Sequence, residues 1–173
     1  ALAFQVPFGV AQAATIRVGM HNGAGDPDAI RRAGLATFIL TVGFAAVFAA
    51  LMLLRPQWLL SIYIDVDAPT NTLLVATATG YLVVGAAFQL FDGAQAVLAG
   101  LLRGLSDTRM PFVLAVIGYW IFGFGTAWYL GFHTSMGGLG VWIGLAVGLV
   151  VTSILLAHRW HRRDRLGLVM PAA

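Results

Sequence analysis

The stretch LLVATATGYLVVGAAFQLFDGAQAVLAGLL, from Leu73 to Leu102, decides the fold of this chain. It is longer than the roughly twenty apolar residues that a helix needs to cross a bilayer. Asp92 is the one acidic or basic side chain within it. A carboxylate costs roughly 2.5 kcal/mol or more where it faces lipid, so it persists in a span only where it faces protein or a wet cavity. The stretch therefore predicts a membrane helix with one side turned towards such an interior.

The side chains on that side of the predicted helix are polar or small. At about 100° per residue they form one stripe, which comprises Tyr81, Gly85, Phe88, Gln89, Asp92, Gln95 and Ala99. Two interpretations of Asp92 remain open, an ion or substrate path and a structural residue satisfied by a neighbouring helix. We favour the first, because ionisable groups inside membranes usually mark such paths.

The composition also places the chain in a membrane. Apolar residues make up 60% and charged residues 10% of the sequence, and the mean hydropathy is +0.87, far outside the soluble range. All basic residues other than histidine are arginines, all acids are aspartates, and cysteine is absent, which excludes disulfides. The net charge of +3 does not predict a nucleic-acid partner, because the arginines lie at the ends of apolar runs.

Five apolar spans separate along the chain. We predict them at residues 1–20, 34–54, 73–102, 111–132 and 139–157, with a tail at 158–173. In the first span, Gln5 and Gln12 share one face, and Pro7 and Gly9 are expected to interrupt the helix. The sequence starts within an apolar helix, and we interpret it as part of a longer protein.

The arginines predict the orientation of these spans. One side of the membrane receives eight of them, namely Arg31, Arg32, Arg103, Arg109, Arg159, Arg162, Arg163 and Arg165, and the opposite side receives Arg55. Because positive residues mark the cytoplasmic side, the N-terminus is expected outside and the C-terminus in the cytoplasm. We interpret the arginine-rich tail as a topology signal that contacts anionic lipid.

Other motifs are weak. The Gly23–Gly25 loop lacks the lysine of a phosphate-binding loop, the histidines lie at span ends, and Asp92 is the only carboxylate expected to be buried. No buried grouping of serine, histidine and aspartate is expected, so the sequence does not predict an enzyme. Gly140, Gly144 and Gly148 are four residues apart and predict a close approach between two helices.

Three segments together resemble a known family. They are VPFGVAQAATIRVGMHNGAGD, FQLFDGAQAVLAGLLRGLSDTRMP and GGLGVWIGLAVGL, and they resemble the C-terminal lobe of the multidrug and toxic compound extrusion (MATE) family, in its bacterial NorM-like branch. The resemblance implies an all-α membrane protein, a polytopic bundle with five transmembrane helices of a six-helix lobe. The five spans would be the eighth to twelfth helices of a twelve-helix transporter. Its partners would be membrane lipid and the remaining N-terminal lobe and seventh helix.

The resemblance also assigns roles to residues of the long stretch. Asp92 matches the carboxylate of the family's cation site on the tenth helix, and Gln89 matches a polar neighbour one turn earlier. Phe88 stands where relatives often have tyrosine, which leaves an aromatic face for a cation. The glutamate that the family often carries on the seventh helix has no counterpart here. The full set expected to line the cavity is Gln5, Gln12, Tyr81, Phe88, Gln89 and Gln95.

The function implied by the resemblance is a cation-coupled antiporter that exports cationic amphiphilic drugs across the inner membrane. The coupling ion would be Na⁺ or H⁺, with Asp92 as a possible Na⁺ ligand and no other cofactor. Two alternatives remain. A lipid-linked saccharide flippase of the same superfamily would have a strongly basic cavity, whereas Arg17 is the only basic residue predicted inside the membrane here. A non-transporting structural subunit would use Asp92 as a hydrogen-bond anchor between helices.

Overall fold

The computed structural model describes the backbone of residues 2–170 and the side chains of residues 5–170. Every regular element in that part of the chain is helical. The helices are α1 (Leu2–Gly23), α2 (Pro27–Leu54), α3 (Pro56–Ser61), α4 (Thr72–Gly104), α5 (Arg109–Val116), α6 (Gly125–Phe132) and α7 (Gly138–His161). A 3₁₀ turn at Pro69–Asn71 precedes α4, and a π-helical segment at Ile117–Phe124 joins α5 to α6.

Local sequence explains where α2 begins and ends. The Asp26 carboxylate accepts a hydrogen bond from the Ala29 N–H at 2.9 Å, and Pro27 occupies the first turn, where its missing N–H costs nothing. The helix ends at Leu54, directly before Arg55 and Pro56. The start of α2 therefore lies seven residues before the predicted apolar span, and its first turns are charged.

The expected interruption of α1 is wrong. The helix runs continuously through Pro7 and Gly9. The Pro7 ring is fully buried, and a Cβ added to Gly93 of α4 would lie 3.7 Å from it. Proline is tolerated in membrane helices where a neighbouring helix packs around it, and α4 fulfils that condition here.

The centre of the bundle is α4. Helices α1, α2 and α7 pack against it, while α6 and the π-helical segment pack against α7. The buried core includes Val18, Ile30, Leu101, Leu102 and Leu156, which come from four different helices. All of them lie towards the arginine-rich end of the bundle, so packing and positive charge concentrate at the same end.

The glycines of α7 allow the predicted close helix approach. Gly140, Gly144 and Gly148 are all buried. A Cβ at Gly140 would lie 2.6 Å from the Leu130 carbonyl oxygen, and one at Gly144 would overlap the backbone of Ala127. These contacts hold α6 and the π-helical segment directly against α7.

Four helical stretches in the described residues are long and apolar enough to cross a bilayer. They are Pro27–Leu54, Pro69–Gly104, Arg109–Phe132 and Gly138–His161, and they contain the second to fifth predicted spans. The first predicted span is helical but is not among the four, so its passage through the membrane stays a prediction. The short helix α3 and the π-helical segment were not predicted.

Candidate cation-binding site

A cavity of about 210 Å³ lies between α1 and α4. Its polar side chains are Gln12, Asp92, Gln95 and Arg103, and Phe8, Ala11, Ala96 and Ala99 complete the lining. The α4 residues recur every three or four positions, as expected for one face of a helix. The structure thus brings three of the predicted site residues, Gln12, Asp92 and Gln95, to one cavity.

The other predicted lining residues do not reach this cavity. Tyr81 and Phe88 make edge-to-face contacts with Trp142 of α7, with ring centroids 6.3 Å and 6.0 Å from it. Gln89 is half-buried, and Gln5 is exposed on α1. The predicted stripe therefore contacts α7 along its first half and the cavity along its second half. A substrate-lining role for Tyr81, Phe88, Gln89 and Gln5 stays a prediction.

Asp92 is half-buried, and its carboxylate forms no hydrogen bond or ion pair with any side chain that the structure describes. Arg103 lies three turns further along α4, about 16 Å away at 1.5 Å per residue, too far for direct contact. A carboxylate partly withdrawn from water is stabilised by a counter-ion. The cavity therefore offers a carboxylate without a described partner, and the amide side chains of Gln12 and Gln95 line the same space.

A second cavity continues from the first towards the arginine-rich end. It has a volume of about 280 Å³, shares Gln95, Ala99 and Arg103 with the first, and extends to Asp107. The two cavities follow one face of α4 through successive turns. Polar groups therefore line a path from Asp92 to the end of the helix.

Tyr119 is a site residue that the sequence analysis missed. It lies in the π-helical segment and donates a hydrogen bond to Gln95 Oε1 at 2.5 Å. Gln95 is one turn from Asp92 on α4, so Tyr119 fixes the amide beside the carboxylate. Segments of π-helix frequently occur at functional sites. No sequence pattern predicts this contact, because it depends on which faces of two helices meet.

The expectation that Asp92 is the only buried carboxylate is wrong. The Asp107 side chain is 7% exposed, and it pairs with Arg159, with 2.5 Å between Oδ2 and Nε. The pair joins the turn after α4 to α7. Arg159, predicted as a topology signal, is thus also part of the packing. Because this carboxylate already has its cation, it is a structural residue rather than a second cation site.

The arrangement of histidines and carboxylates in the described part of the chain bears on metal binding. Within the described residues, no group of three or more such side chains is placed to hold a metal ion. A bound Na⁺ would therefore be held by one carboxylate and by amide, hydroxyl or carbonyl oxygens. Oxygen ligands of this kind suit hard cations.

Comparison with known proteins decides the family. A family model described as MatE matches residues 1–129. The chain belongs to the MATE family. It is 48% identical over 165 residues to the "Probable multidrug resistance protein NorM" of Mesorhizobium japonicum, covering 95% of this chain and 35% of the relative. It is 43% identical over 170 residues to the "Multidrug resistance protein NorM" of Burkholderia vietnamiensis, covering 98% and 37%.

Solved MATE structures have the same fold. The eukaryotic MATE transporter AtDTX14 superposes with a TM-score of 0.80 at 24% identity, covering 96% of this chain and 38% of that one. An inward-facing multidrug resistance MATE transporter superposes with a TM-score of 0.80 at 18% identity, covering 96% and 37%. The MATE chain described here is therefore a multi-pass membrane protein that spans about a third of the length of its curated relatives.

Proposed function

We propose that this MATE chain is part of an antiporter that exports cationic amphiphilic drugs across the inner membrane in exchange for Na⁺ or H⁺. The observation that carries the proposal is Asp92, a half-buried carboxylate with no described partner in the cavity between α1 and α4. The similarity to proteins named multidrug resistance protein NorM supports it.

The proposed mechanism rests on competition for the Asp92 carboxylate. Either Na⁺ or H⁺ neutralises its charge, and the neutral and charged forms favour different helix arrangements. A cationic drug competes for the same charge. Alternating access to the two sides of the membrane then exchanges drug for ion. Gln12 and Gln95 orient the bound cation, and Tyr119 holds Gln95 in position.

We further propose that this activity requires the parts of the longer relatives that lie outside the match. A second lobe and a preceding helix would close the cavity and supply further cation ligands. The flippase alternative receives no support from the charges near Asp92, because the lining of the cavity contains a single arginine, Arg103, three turns along α4 from Asp92.

The test replaces Asp92 with Asn in the complete gene product that contains this chain. Asn keeps the size and some hydrogen bonding but cannot carry the charge, so active efflux of ethidium should fall to the empty-vector level. Membrane abundance, measured by immunoblot, should be unchanged. Asp67→Asn is the matched control, because Asp67 is exposed in the loop before α4, and it should leave efflux intact.

A structural role for Asp92 predicts a different result. Wild-type efflux by a well-expressed Asp92→Asn variant would contradict coupling through this carboxylate. Low abundance together with low efflux would identify an anchor between helices. Efflux per unit of inserted protein therefore separates the transporter from the structural-subunit alternative.

A further inference from the structure

A groove lies between α2 and α7 at the arginine-rich end. Both helices pack on α4 but make few contacts with each other in the described chain, which leaves a volume of about 340 Å³. Leu98 and Leu101 of α4 form its floor, and Leu35 and Phe38 of α2 form one apolar wall. We call this feature the α2–α7 groove.

Trp160 of α7 spans the α2–α7 groove. A Cβ added to Gly34 of α2 would lie 2.5 Å from Cζ2 of the indole, so a glycine is needed where the ring reaches the opposite helix. The indole also packs against the buried core. The ring therefore has a fixed position, and it supports whatever lies above it.

The mouth of the groove is basic. Arg31 of α2 and His161 and Arg163 beyond or at the end of α7 line it. The Arg163 guanidinium lies 4.5 Å from the centroid of the Trp160 ring, and its Nη1 donates to the Trp160 carbonyl at 3.1 Å. Its Nε is buried and has no hydrogen-bond acceptor among the described groups. The indole ring and the carbonyl thus hold a positive charge in place beside the groove.

We propose that the α2–α7 groove binds one anionic phospholipid. The phosphate lies at the mouth between Arg31 and Arg163, and an acyl chain follows Leu35 and Phe38. Arginine pairs strongly with phosphate, and basic pockets between membrane helices bind anionic headgroups. Leu35 is 59% exposed, so the apolar wall opens towards the surrounding lipid. The basic mouth therefore matches the anionic headgroup of a phospholipid, and the apolar wall matches its acyl chain.

Acidic groups near the mouth do not cancel its charge. Asp164 Oδ1 lies 3.9 Å from Arg163 Nε, but that side chain is 64% exposed, so water and salt screen the pair. Asp28 precedes Arg31 by one turn of α2 and is exposed. Arg32, Arg162 and Arg165 add further positive charge nearby. The region keeps a positive field that attracts anionic lipid whether or not the protein transports drugs.

The experiment compares two double variants of the complete gene product in detergent. Arg31→Gln with Arg163→Gln removes the charges that line the groove. Arg32→Gln with Arg162→Gln removes the same number from neighbouring exposed positions outside it. Native mass spectrometry with added phosphatidylglycerol or phosphatidylcholine measures bound lipid, and circular dichroism verifies helix content. The single variant Arg31→Gln alters an exposed side chain and provides a version that folds even if the double variant does not.

The expected result is one phosphatidylglycerol bound in preference to phosphatidylcholine. The groove variant should bind it about thirtyfold more weakly, since it loses two basic residues that each contribute about 1 kcal/mol near the headgroups. The control should match the wild type. An equal loss in both variants would indicate diffuse attraction and overturn the proposal. Equal binding of phosphatidylcholine would do the same. Absence of bound lipid from the wild type would also overturn the proposal.

Discussion

Asp92 and Asp107 lie on or beside the same helix, but their surroundings differ. Asp107 is the more buried of the two and is neutralised by Arg159, so it stabilises the junction between α4 and α7. Asp92 is half-buried and lacks such a partner in the described chain. Burial alone therefore does not distinguish the two carboxylates, whereas the presence or absence of a paired arginine does.

The contact between Tyr119 and Gln95 makes a prediction about drug affinity. Tyr119→Phe removes the hydrogen bond to Gln95 and keeps the ring, and a hydrogen bond contributes about 1 kcal/mol. Efflux in the complete gene product should persist, with half-saturation at about fivefold higher ethidium, a factor that corresponds to that energy. An amide can orient a ligand but cannot exchange a proton. Tyr119→Phe and Gln95→Ala should therefore both reduce efflux less than Asp92→Asn does.

Tyr129→Phe is the matched control for this measurement. Tyr129 is exposed and stacks on His133. It lies in α6, ten residues after Tyr119, and its hydroxyl should be dispensable. A complete loss of efflux in Tyr119→Phe would make this hydroxyl part of the ion path. Unchanged half-saturation would reduce the contact with Gln95 to packing.

Periodicity predicted some of these residues and not others. Asp92 and Gln95 follow from the spacing of polar residues along one apolar helix, and Gln12 follows from its position on the face of α1. Tyr119 and Asp107 could not be predicted in this way, because their partners lie on other helices. Such contacts depend on how the helices are rotated against each other, and one sequence without an observed packing does not contain that information.

The two halves of helix α4 face different surroundings. Its first half presents Tyr81 and Phe88 to Trp142 of α7, and its second half presents Asp92 and Gln95 to a cavity beside α1. One continuous helix therefore connects an aromatic contact with a polar cavity. A movement of α7 against α4 would act on the aromatic contact, which lies on the same helix as Asp92.

The glycine face of α7 predicts the effect of one added methyl group. Gly144→Ala would force a Cβ into the backbone of Ala127, and overpacking of a close interface typically costs about 1–3 kcal/mol. The thermal unfolding midpoint in detergent should fall. Gly125→Ala is the control, because a Cβ there meets nothing within 4 Å and alanine favours helix over glycine. An equal or higher midpoint for Gly144→Ala would show that α6 and α7 are not closely packed.

Helix boundaries can be predicted where a capping side chain or a proline marks them. The cap at Asp26 and the break at Arg55 and Pro56 are local sequence features that coincide with the two ends of α2. Pro7 misled the prediction because its local effect is offset by burial against α4. The π-helical segment was missed because its sequence is apolar almost throughout. Without alternating polar and apolar faces, the periodicity cannot distinguish a π-helical turn from an α-helical one.

Positive charge and buried packing are concentrated at the same end of the helical bundle. The buried core and the Asp107–Arg159 pair lie at the end that carries most of the arginines. The chain beyond α7 also returns to this end, where the Met170 N–H donates to the Asn22 side chain at 2.9 Å. The opposite end consists of the exposed loop around Asp65 and the turn after α6. The arginine-rich end is therefore the more closely packed part of the bundle.

This asymmetry predicts the orientation of the protein in the membrane. Arginines are retained on the cytoplasmic side, so a reporter fused after Arg165 in the complete gene product should read cytoplasmic. A reporter inserted in the 65–70 loop should read external, as should one in the turn at 133–137, which is separated from the first by α4 and the helix that follows. Paired alkaline phosphatase and green fluorescent protein fusions measure this, because the first is active only outside and the second only inside. Arg159 is partly neutralised by Asp107, yet the remaining arginines of that side still outnumber Arg55.

A reversed pattern at all three positions would invert the bundle and move the α2–α7 groove to the external leaflet. Agreement at two positions with reversal at the third would instead contradict one of the membrane spans.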